Sequence, residues 1–121
     1  MNRRDKGNHA ECATAEYLRA QGLTIEKRNF HCKSGELDII ARDRNTLVFV
    51  EVRSRKHNAM VNPIESIGHS KQRRLISAAN YYIHRFGLHN AACRFDVVGV
   101  TPGPDGRHQF QWIRNAFDAS L

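Results

Sequence analysis

Three carboxylates lie in the two segments of this chain that most resemble buried β-strands. Glu36 and Asp38 belong to the stretch GELDIIARD (35–43), and Glu51 belongs to LVFVEVRSR (47–55). Ionised carboxylates that are held close together repel each other unless one is protonated or a cation lies between them. Acids in apolar strands therefore indicate a shared proton or a binding site for a cation.

A tight hairpin between these two strands predicts which acids face each other. If residues 44–45 form its centre, Asp38 lies directly opposite Glu51, and Glu36 lies directly opposite Arg53. Directly opposed residues have β-carbons roughly 4.5–5.5 Å apart, so Asp38 and Glu51 are predicted to be a close pair of like charges. For Glu36 we favour a cross-strand ion pair with Arg53 over a role as a metal ligand.

A third acid is predicted to join this pair from the first helix. Glu11 shares a stripe with Ala15, Leu18 and Gly22 at helical spacing, and such a stripe faces the core. A solvated position for Glu11 is the alternative. If the side chain of Glu11 faces inward, it joins the two strand acids as an oxygen ligand for a hard divalent ion. Mg²⁺ or Mn²⁺ is then the predicted cofactor, because such ions bind through one or two carboxylates, water and substrate phosphate.

The hydrophobic pattern predicts one α/β domain over residues 1–121, with residues 1–7 as a flexible basic tail. Helical periodicity covers about 8–21 and 69–86, and a glycine follows each segment as a stop signal. The predicted strands are 23–30, 37–42, 47–54, 94–100 and 108–113. The order α-β-β-β-α-β-β predicts a mixed central β-sheet flanked by helices.

Charge and composition limit the classes of partner. The formal net charge is +7, which is typical of proteins that bind a polyanion: nucleic acid, an anionic membrane or an acidic protein. The charged N-terminus leads into no apolar segment, and no apolar run is long enough to cross a bilayer. We therefore expect a cytoplasmic protein with no membrane partner. The three cysteines are widely spaced without a CxxC motif, which favours reduced thiols.

Two basic clusters are predicted to flank the acids and to bind phosphates. Arg53, Arg55 and Lys56 run from the end of the third strand into a polar loop, and Lys71 and Arg74 open the second helix. Contacts of this kind give sequence-independent, salt-dependent binding of nucleic acid. A solvated helix face is the alternative for the second cluster.

The acidic and basic residues together resemble a nuclease pattern. Asp38, a spacer and then Glu51-Val52-Arg53 are similar to the D-(spacer)-E-x-K signature of the PD-(D/E)XK nuclease fold. Over nearly its full length, the chain resembles the UPF0102 family, also called the YraN family, which is related to archaeal Holliday-junction resolvases. The motifs that carry this resemblance are Ala10-Glu11, Ala13, Tyr17-Leu18, Arg28-Asn29, GELDIIARD (35–43), LVFVEVRSR (47–55), Lys71, Arg74-Leu75, RFDVVGV (94–100) and Ala116-Phe117.

The resemblance implies a restriction-endonuclease-like core and metal-dependent hydrolysis of phosphodiester bonds. It also implies a nucleic-acid substrate, for which we favour DNA, and a homodimer, since a four-way junction is two-fold symmetric. By the same resemblance, Asp38 and Glu51 match the metal ligands of the strands. Glu11 matches the acid of the first helix, and Arg53 stands in the place of the signature lysine.

Arginine at position 53 leaves two main hypotheses open. Arginine can stabilise an anion with its fork of donors, but it cannot act as a base, because its pKa exceeds about 12. The first hypothesis is a Mg²⁺- or Mn²⁺-dependent endonuclease that acts on branched or structured DNA. The second is a non-catalytic nucleic-acid-binding module on the same fold. A basic scaffold that docks on an acidic protein is a third hypothesis, and it leaves the acids in the strands unexplained.

Overall fold

The computed structural model of this chain describes residues 3–55 and 63–118, with side chains from residue 9 onward. The elements are, in chain order, α1 (Arg3–Ala20), β1 (Thr24–Cys32), β2 (Gly35–Asp43), β3 (Thr46–Ser54), a short 3₁₀ helix (Pro63–Ser66), α2 (His69–Arg85), β4 (Ala92–Pro102) and β5 (His108–Ile113). This α-β-β-β-α-β-β order with a mixed sheet confirms the predicted fold class.

The strands form one sheet in the order β1-β2-β3-β4-β5. Neighbouring strands are antiparallel except β3 and β4, which are parallel and paired from Thr46–Ala92 to Ser54–Val100. Parallel strands need a long crossover connection, and α2 lies in the connection between β3 and β4. The long β3–β4 ladder makes β3 a central strand, and β3 carries Glu51.

Each face of the sheet has its own apolar core, because side chains alternate between the two faces along a strand. The core beneath α2 includes Leu75, Ile76, Ala79 and Tyr82 of the helix with Ile40, Phe49, Phe95 and Val97 of the strands. The core beneath α1 includes Ala10, Ala15 and Leu18 of the helix with Ile39, Val48, Val50 and Val98 of the strands. The central strands are therefore packed on both faces, and they hold any side chain at their ends in a fixed position.

The predicted hairpin between β2 and β3 is confirmed at its turn. Its ladder runs from the Asp43–Thr46 pair, next to a two-residue loop, to the Ile39–Val50 pair. Apolar side chains on both faces fix this register, because a shift by one residue would turn every one of them to the wrong face. The ladder ends at Ile39–Val50, and the candidate site begins there.

Some boundaries differ from those predicted. Helix α1 begins at Arg3 instead of near residue 8, and the predicted loop 55–66 contains the 3₁₀ helix Pro63–Ser66. Residues 56–62 of that loop, and with them the predicted phosphate contact Lys56, lie outside the described residues. Within the described parts of the chain, neither helix is both long and apolar enough to cross a membrane.

Gly99 in β4 lets the 3₁₀ helix lie directly on the sheet. A β-carbon at this position would be 2.5 Å from Pro63 Cγ, which is far inside normal carbon–carbon contact. Pro63 is buried at this point. The close approach fixes the 3₁₀ helix beside β3, and its last residue, Ser66, binds the side chain of Arg53.

Candidate metal centre and nucleic-acid interface

The point where β2 separates from β3 creates the candidate site. After the Ile39–Val50 pair the ladder ends, and Asp38 Oδ2 accepts a hydrogen bond from the backbone N–H of Val52 at 2.9 Å. The carboxylate thus takes a donor that the neighbouring strand would otherwise bond. The regular ladder stops one pair short of Asp38 and Glu51, in the register that the sequence predicts, and the two acids are close neighbours as predicted, since the charge of Asp38 raises the pKa of Glu51.

Three carboxylates meet at this gap: Glu11 from α1, and Glu36 and Asp38 from β2. One carboxylate oxygen of each lies within 4.8 Å of an oxygen of the other two. Glu11 is only 7 % exposed, and Ala15 and Leu18 on the same stripe of α1 are buried with it. The predicted inward position of Glu11 is confirmed, so a helix and a strand bring their acids together.

Glu36 lies in this cluster instead of forming the predicted ion pair with Arg53. Its neighbour across the β1–β2 ladder is His31, and its Oε2 lies 3.8 Å from His31 Nδ1. The predicted pair was wrong because β2 and β3 have already separated at this level. Glu36 is a candidate site residue that the sequence pattern assigned to the wrong partner.

Glu51 approaches the site from β3, near the start of α2. Its side chain is 6 % exposed, and its Oε1 lies 3.7 Å from Arg53 Nη1 and 3.9 Å from Lys71 Nζ. Its Oε2 is buried, and no donor among the described residues reaches it. Burying a carboxylate oxygen without a partner costs free energy, so this atom is suited to accept a ligand.

Burial and like charges raise the pKa values of two of these acids. Desolvation, followed by the negative charge of Asp38, raises the pKa of Glu11 from 4.5 to about 7. The same two causes raise the pKa of Glu51 from 4.5 to about 8, although Lys71 and Arg53 lower it. Arg28 lowers the pKa of Glu11 in the same way, but these cations do not cancel the rise at either acid, and a bound proton or a divalent cation would stabilise the pair further.

Asn29 contacts the acids, although the sequence pattern assigned it no role. It lies in β1 with a left-handed backbone (φ 54°), a conformation that asparagine adopts more readily than most residues. In the orientation that satisfies both groups, its amide nitrogen donates to Glu11 Oε1 and Oε2 at 3.0 and 2.8 Å. Asn29 therefore fixes the Glu11 carboxylate, and the Arg28-Asn29 motif was the available signal for it.

Arg53 is held by the 3₁₀ helix. Its Nε donates to Ser66 Oγ at 2.9 Å, and its Nη2 donates to the Ser66 carbonyl oxygen at 3.2 Å. The remaining terminal nitrogen, Nη1, faces Glu51. The guanidinium thus links the 3₁₀ helix to the acidic site.

An open cleft of about 330 Å³ runs beside the carboxylates, and Glu36, Lys71 and Arg74 lie in its walls. Two of the predicted phosphate contacts, Lys71 and Arg74, are thus adjacent to the acids. Arg55 lies elsewhere: its cleft, of about 210 Å³, is also lined by Pro63, Gly99 and Phe110. The structure therefore brings only part of the predicted basic surface to the acidic cleft.

The carboxylate oxygens of the acidic site are suited to bind a hard divalent cation. Carboxylate oxygens are the ligands that Mg²⁺ prefers, and three of the carboxylates here have oxygens within 4.8 Å of one another. The Oε2 of Glu51 accepts no hydrogen bond from the described donors, and either a proton shared with Asp38 or a bound cation would satisfy it. By their mutual distances Glu11, Glu36 and Asp38 could hold the ion. Glu51, which the sequence predicts as a ligand, is not one of these three but lies beside Asp38, whose charge raises its pKa.

Comparison with known proteins places the chain in a family. The model of the "Uncharacterised protein family UPF0102" matches residues 10–100. The chain belongs to the UPF0102 family. A UPF0102 protein of Marinobacter nauticus is 46 % identical over 116 residues, which cover 96 % of this chain and 94 % of that protein. A UPF0102 protein of Symbiobacterium thermophilum is 48 % identical over 119 residues, covering 98 % of this chain and 100 % of that protein.

The UPF0102 match includes the whole candidate site. Its first residues contain Glu11, and its range runs through the acids of β2 and β3 to Lys71 and Arg74 on α2. A UPF0102 protein of Nitrosococcus oceani is similarly close, with 48 % identity over 115 residues, or 94 % of this chain and 92 % of that protein. The similarity thus covers nearly the whole length of both proteins.

Proposed function

We propose that this UPF0102 protein is a Mg²⁺- or Mn²⁺-dependent endonuclease that hydrolyses phosphodiester bonds in branched or structured DNA. The observation that carries the proposal is the pair of buried carboxylates with raised pKa values, Glu11 and Glu51, which lie next to a cleft whose walls contain Lys71 and Arg74. A protein gains no stability from buried acids of this kind, because their desolvation opposes folding. Clustered acids with perturbed pKa values are instead typical of functional sites.

The roles of the side chains follow from their positions. Asp38 would hold the metal ion together with Glu51, which lies beside it, and Glu11, fixed by Asn29, would assist. A metal ion bound there supplies a polarised phosphoryl oxygen and a water of lowered pKa. Arg74, exposed in the wall of the cleft, binds a flanking phosphate, which fixes the DNA without selecting its sequence.

The net positive charge of the chain favours a nucleic acid as the partner of this cleft. The formal net charge is +7, and two cations on α2 lie in the wall of the cleft beside the acids. Electrostatic attraction to phosphates would bring the duplex to the cleft and would weaken as the salt concentration rises. A bound divalent cation would also offset the repulsion that the acids alone would exert on DNA.

A non-catalytic nucleic-acid-binding module is the second candidate function. The observation that favours it is Arg53, whose guanidinium is bonded to Ser66 and cannot serve as a base. In such a module the basic cleft would bind nucleic acid while the acids retained no chemical role. The two functions make opposite predictions for Asp38: hydrolysis depends on this carboxylate, and binding alone does not.

The decisive experiment is a cleavage assay on end-labelled four-way junction, flap, duplex, single-stranded DNA and RNA. Each substrate is incubated with wild type or Asp38→Asn in the presence of Mg²⁺, Mn²⁺ or EDTA, and a native gel of each sample measures binding. We expect metal-dependent products from the junction or flap with wild type, and a loss of at least about 100-fold with Asp38→Asn.

A matched control separates loss of the site from loss of one charge. Asp105→Asn makes the same chemical change at a side chain that is 63 % exposed in a turn beyond β4. This variant should cleave like wild type. Substrates that are bound equally by all three proteins and cut by none would establish the binding module and refute the nuclease.

The predicted homodimer is tested separately by light scattering with and without junction DNA, and a monomer in both would refute it.

A further inference from the structure

Hydrolysis of a phosphodiester needs a positive group that contacts the reacting phosphate as well as the acids. Two cations flank Glu51 Oε1 at similar distances: Arg53 Nη1 at 3.7 Å and Lys71 Nζ at 3.9 Å. Arg53 comes from the same strand as Glu51, whereas Lys71 comes from the first turn of α2. The two side chains differ in what else holds them, and this difference indicates which one can reach a substrate.

Arg53 has little freedom to contact a phosphate. Its Nε and Nη2 both donate to Ser66, and the Ser66 hydroxyl in turn donates to the Pro63 carbonyl oxygen. A bidentate contact with phosphate uses two parallel N–H groups of the guanidinium, and those facing Ser66 are already engaged. The anchor for these bonds is itself fixed, because Pro63 packs closely on Gly99.

Lys71 is free to make such a contact. Its side chain is 37 % exposed, and Glu51 is its only ion-pair partner among the described residues. An ammonium group has three donors, so two remain after a contact with Glu51. Lys71 lines the same cleft as Glu36 and Arg74, so those donors are available where a phosphate of bound DNA would lie beside the acids.

We propose that Lys71 is a catalytic residue of this protein: its ammonium contacts a non-bridging oxygen of the scissile phosphate. Arg53 is then a positioning residue that links Glu51 to the 3₁₀ helix. The inference rests on the proposed nuclease function, and it assigns to α2 the cation that the signature places on β3. The role of Lys71 is electrostatic and requires only its positive charge.

The reaction balances without a further reactant. The oxygen of water forms a bond to phosphorus, and the bond from phosphorus to one sugar oxygen breaks, leaving its electron pair on that oxygen. One proton of the water is released to solvent, and the leaving oxygen takes up one proton from solvent. Lys71 stabilises the extra negative charge that the phosphoryl oxygens carry in the transition state, when water attacks.

The test measures kcat and KM of cleavage for four proteins on the substrate that wild type cuts best. They are wild type, Lys71→Met, Arg73→Met and the double variant Lys71→Met with Arg53→Lys. We expect Lys71→Met to lower kcat by about 100-fold or more, with KM changed less than about threefold, because the lost contact belongs to the transition state. Arg73→Met removes the same charge from an exposed position on the same helix and should leave both constants within about twofold.

The double variant tests whether charge beside Glu51 is what matters. Lysine at position 53 returns an ammonium to the site, so it should recover at least about tenfold of the lost kcat. Thermal unfolding of all four proteins shows whether each is folded. Raised KM with unchanged kcat in Lys71→Met would make Lys71 a phosphate-binding residue and overturn the inference while the nuclease stands. A folded wild type that cuts no substrate would overturn both.

Discussion

Replacing Glu51 by glutamine should change how the stability of this fold depends on pH. Burial, then the charge of Asp38, raises the pKa of Glu51 from 4.5 to about 8 in the folded protein. A carboxyl group whose pKa is raised by folding stabilises the fold fully below its unfolded pKa. That stabilisation is lost as the pH rises through the folded pKa. Glutamine has nearly the same shape and does not ionise. The Glu51→Gln variant should therefore not lose this part of its unfolding free energy as the pH rises.

The size of the effect follows from the two pKa values. Linkage between pH 5 and pH 8 predicts that wild type loses roughly 3 kcal/mol of unfolding free energy relative to Glu51→Gln. Because Glu51 is only 6 % exposed, solvent screens this effect little. A glutamine amide can also donate to the Asp38 carboxylate, so the variant keeps the site hydrogen-bonded.

Urea unfolding at pH 5, 6, 7 and 8 in EDTA measures this difference, with the fluorescence of Trp112 as the signal. Glu16→Gln is the matched control. It makes the same chemical change in α1 at a side chain that is 75 % exposed. Its pH profile should parallel that of wild type within about 0.5 kcal/mol. A constant difference between wild type and Glu51→Gln across this pH range would refute the argument that Glu51 is buried with a raised pKa.

Three further predictions concern the frame and the cleft. Asp96→Asn should lower the unfolding free energy by roughly 3 kcal/mol in urea, because this buried carboxylate accepts bonds from an arginine, a tryptophan and a backbone amide. Asp105→Asn, at an exposed turn, should stay within about 0.5 kcal/mol of wild type in the same assay. Gly99→Ala should cost roughly 1–3 kcal/mol in urea, since the new methyl group would lie 2.5 Å from Pro63 Cγ; unchanged stability would refute this packing. Binding of duplex DNA should weaken with salt, and Arg74→Met should reduce the slope of log K against log salt by about 1; an unchanged slope would remove Arg74 from the interface.

The hairpin and the faces of the strands could be predicted because they depend on local patterns. Alternating apolar residues fix the Asp43–Thr46 turn and its register. Helical spacing correctly predicted that the side chain of Glu11 faces inward. Both features arise within one element or between neighbours in sequence. The candidate acids at 11, 38 and 51 were therefore identified from the sequence, together with the fold that holds them.

The arrangement of the acids could not be predicted, because it depends on the loss of regular pairing. The hydrogen bond from the Val52 amide to Asp38 joins a backbone group to a side chain. The spacing of apolar residues in the sequence gives no sign of such a bond. The regular pairing of β2 with β3 ends before it reaches Glu36. The side chain of Glu36 therefore lies near Glu11 and does not pair with Arg53. The contact of Lys71 with Glu51 likewise depends on how α2 packs over the sheet.

The central claim is that the gap between β2 and β3 holds a divalent cation, and Mn²⁺ binding tests it most directly. The electron paramagnetic resonance signal of free Mn²⁺ is measured during titration with wild type, Asp38→Asn and the exposed control Asp105→Asn, without nucleic acid. We predict saturable binding by wild type and the control, competition by Mg²⁺, and a loss of affinity of at least about tenfold in Asp38→Asn. Equal Mn²⁺ binding by all three proteins, or none by wild type, would contradict the account.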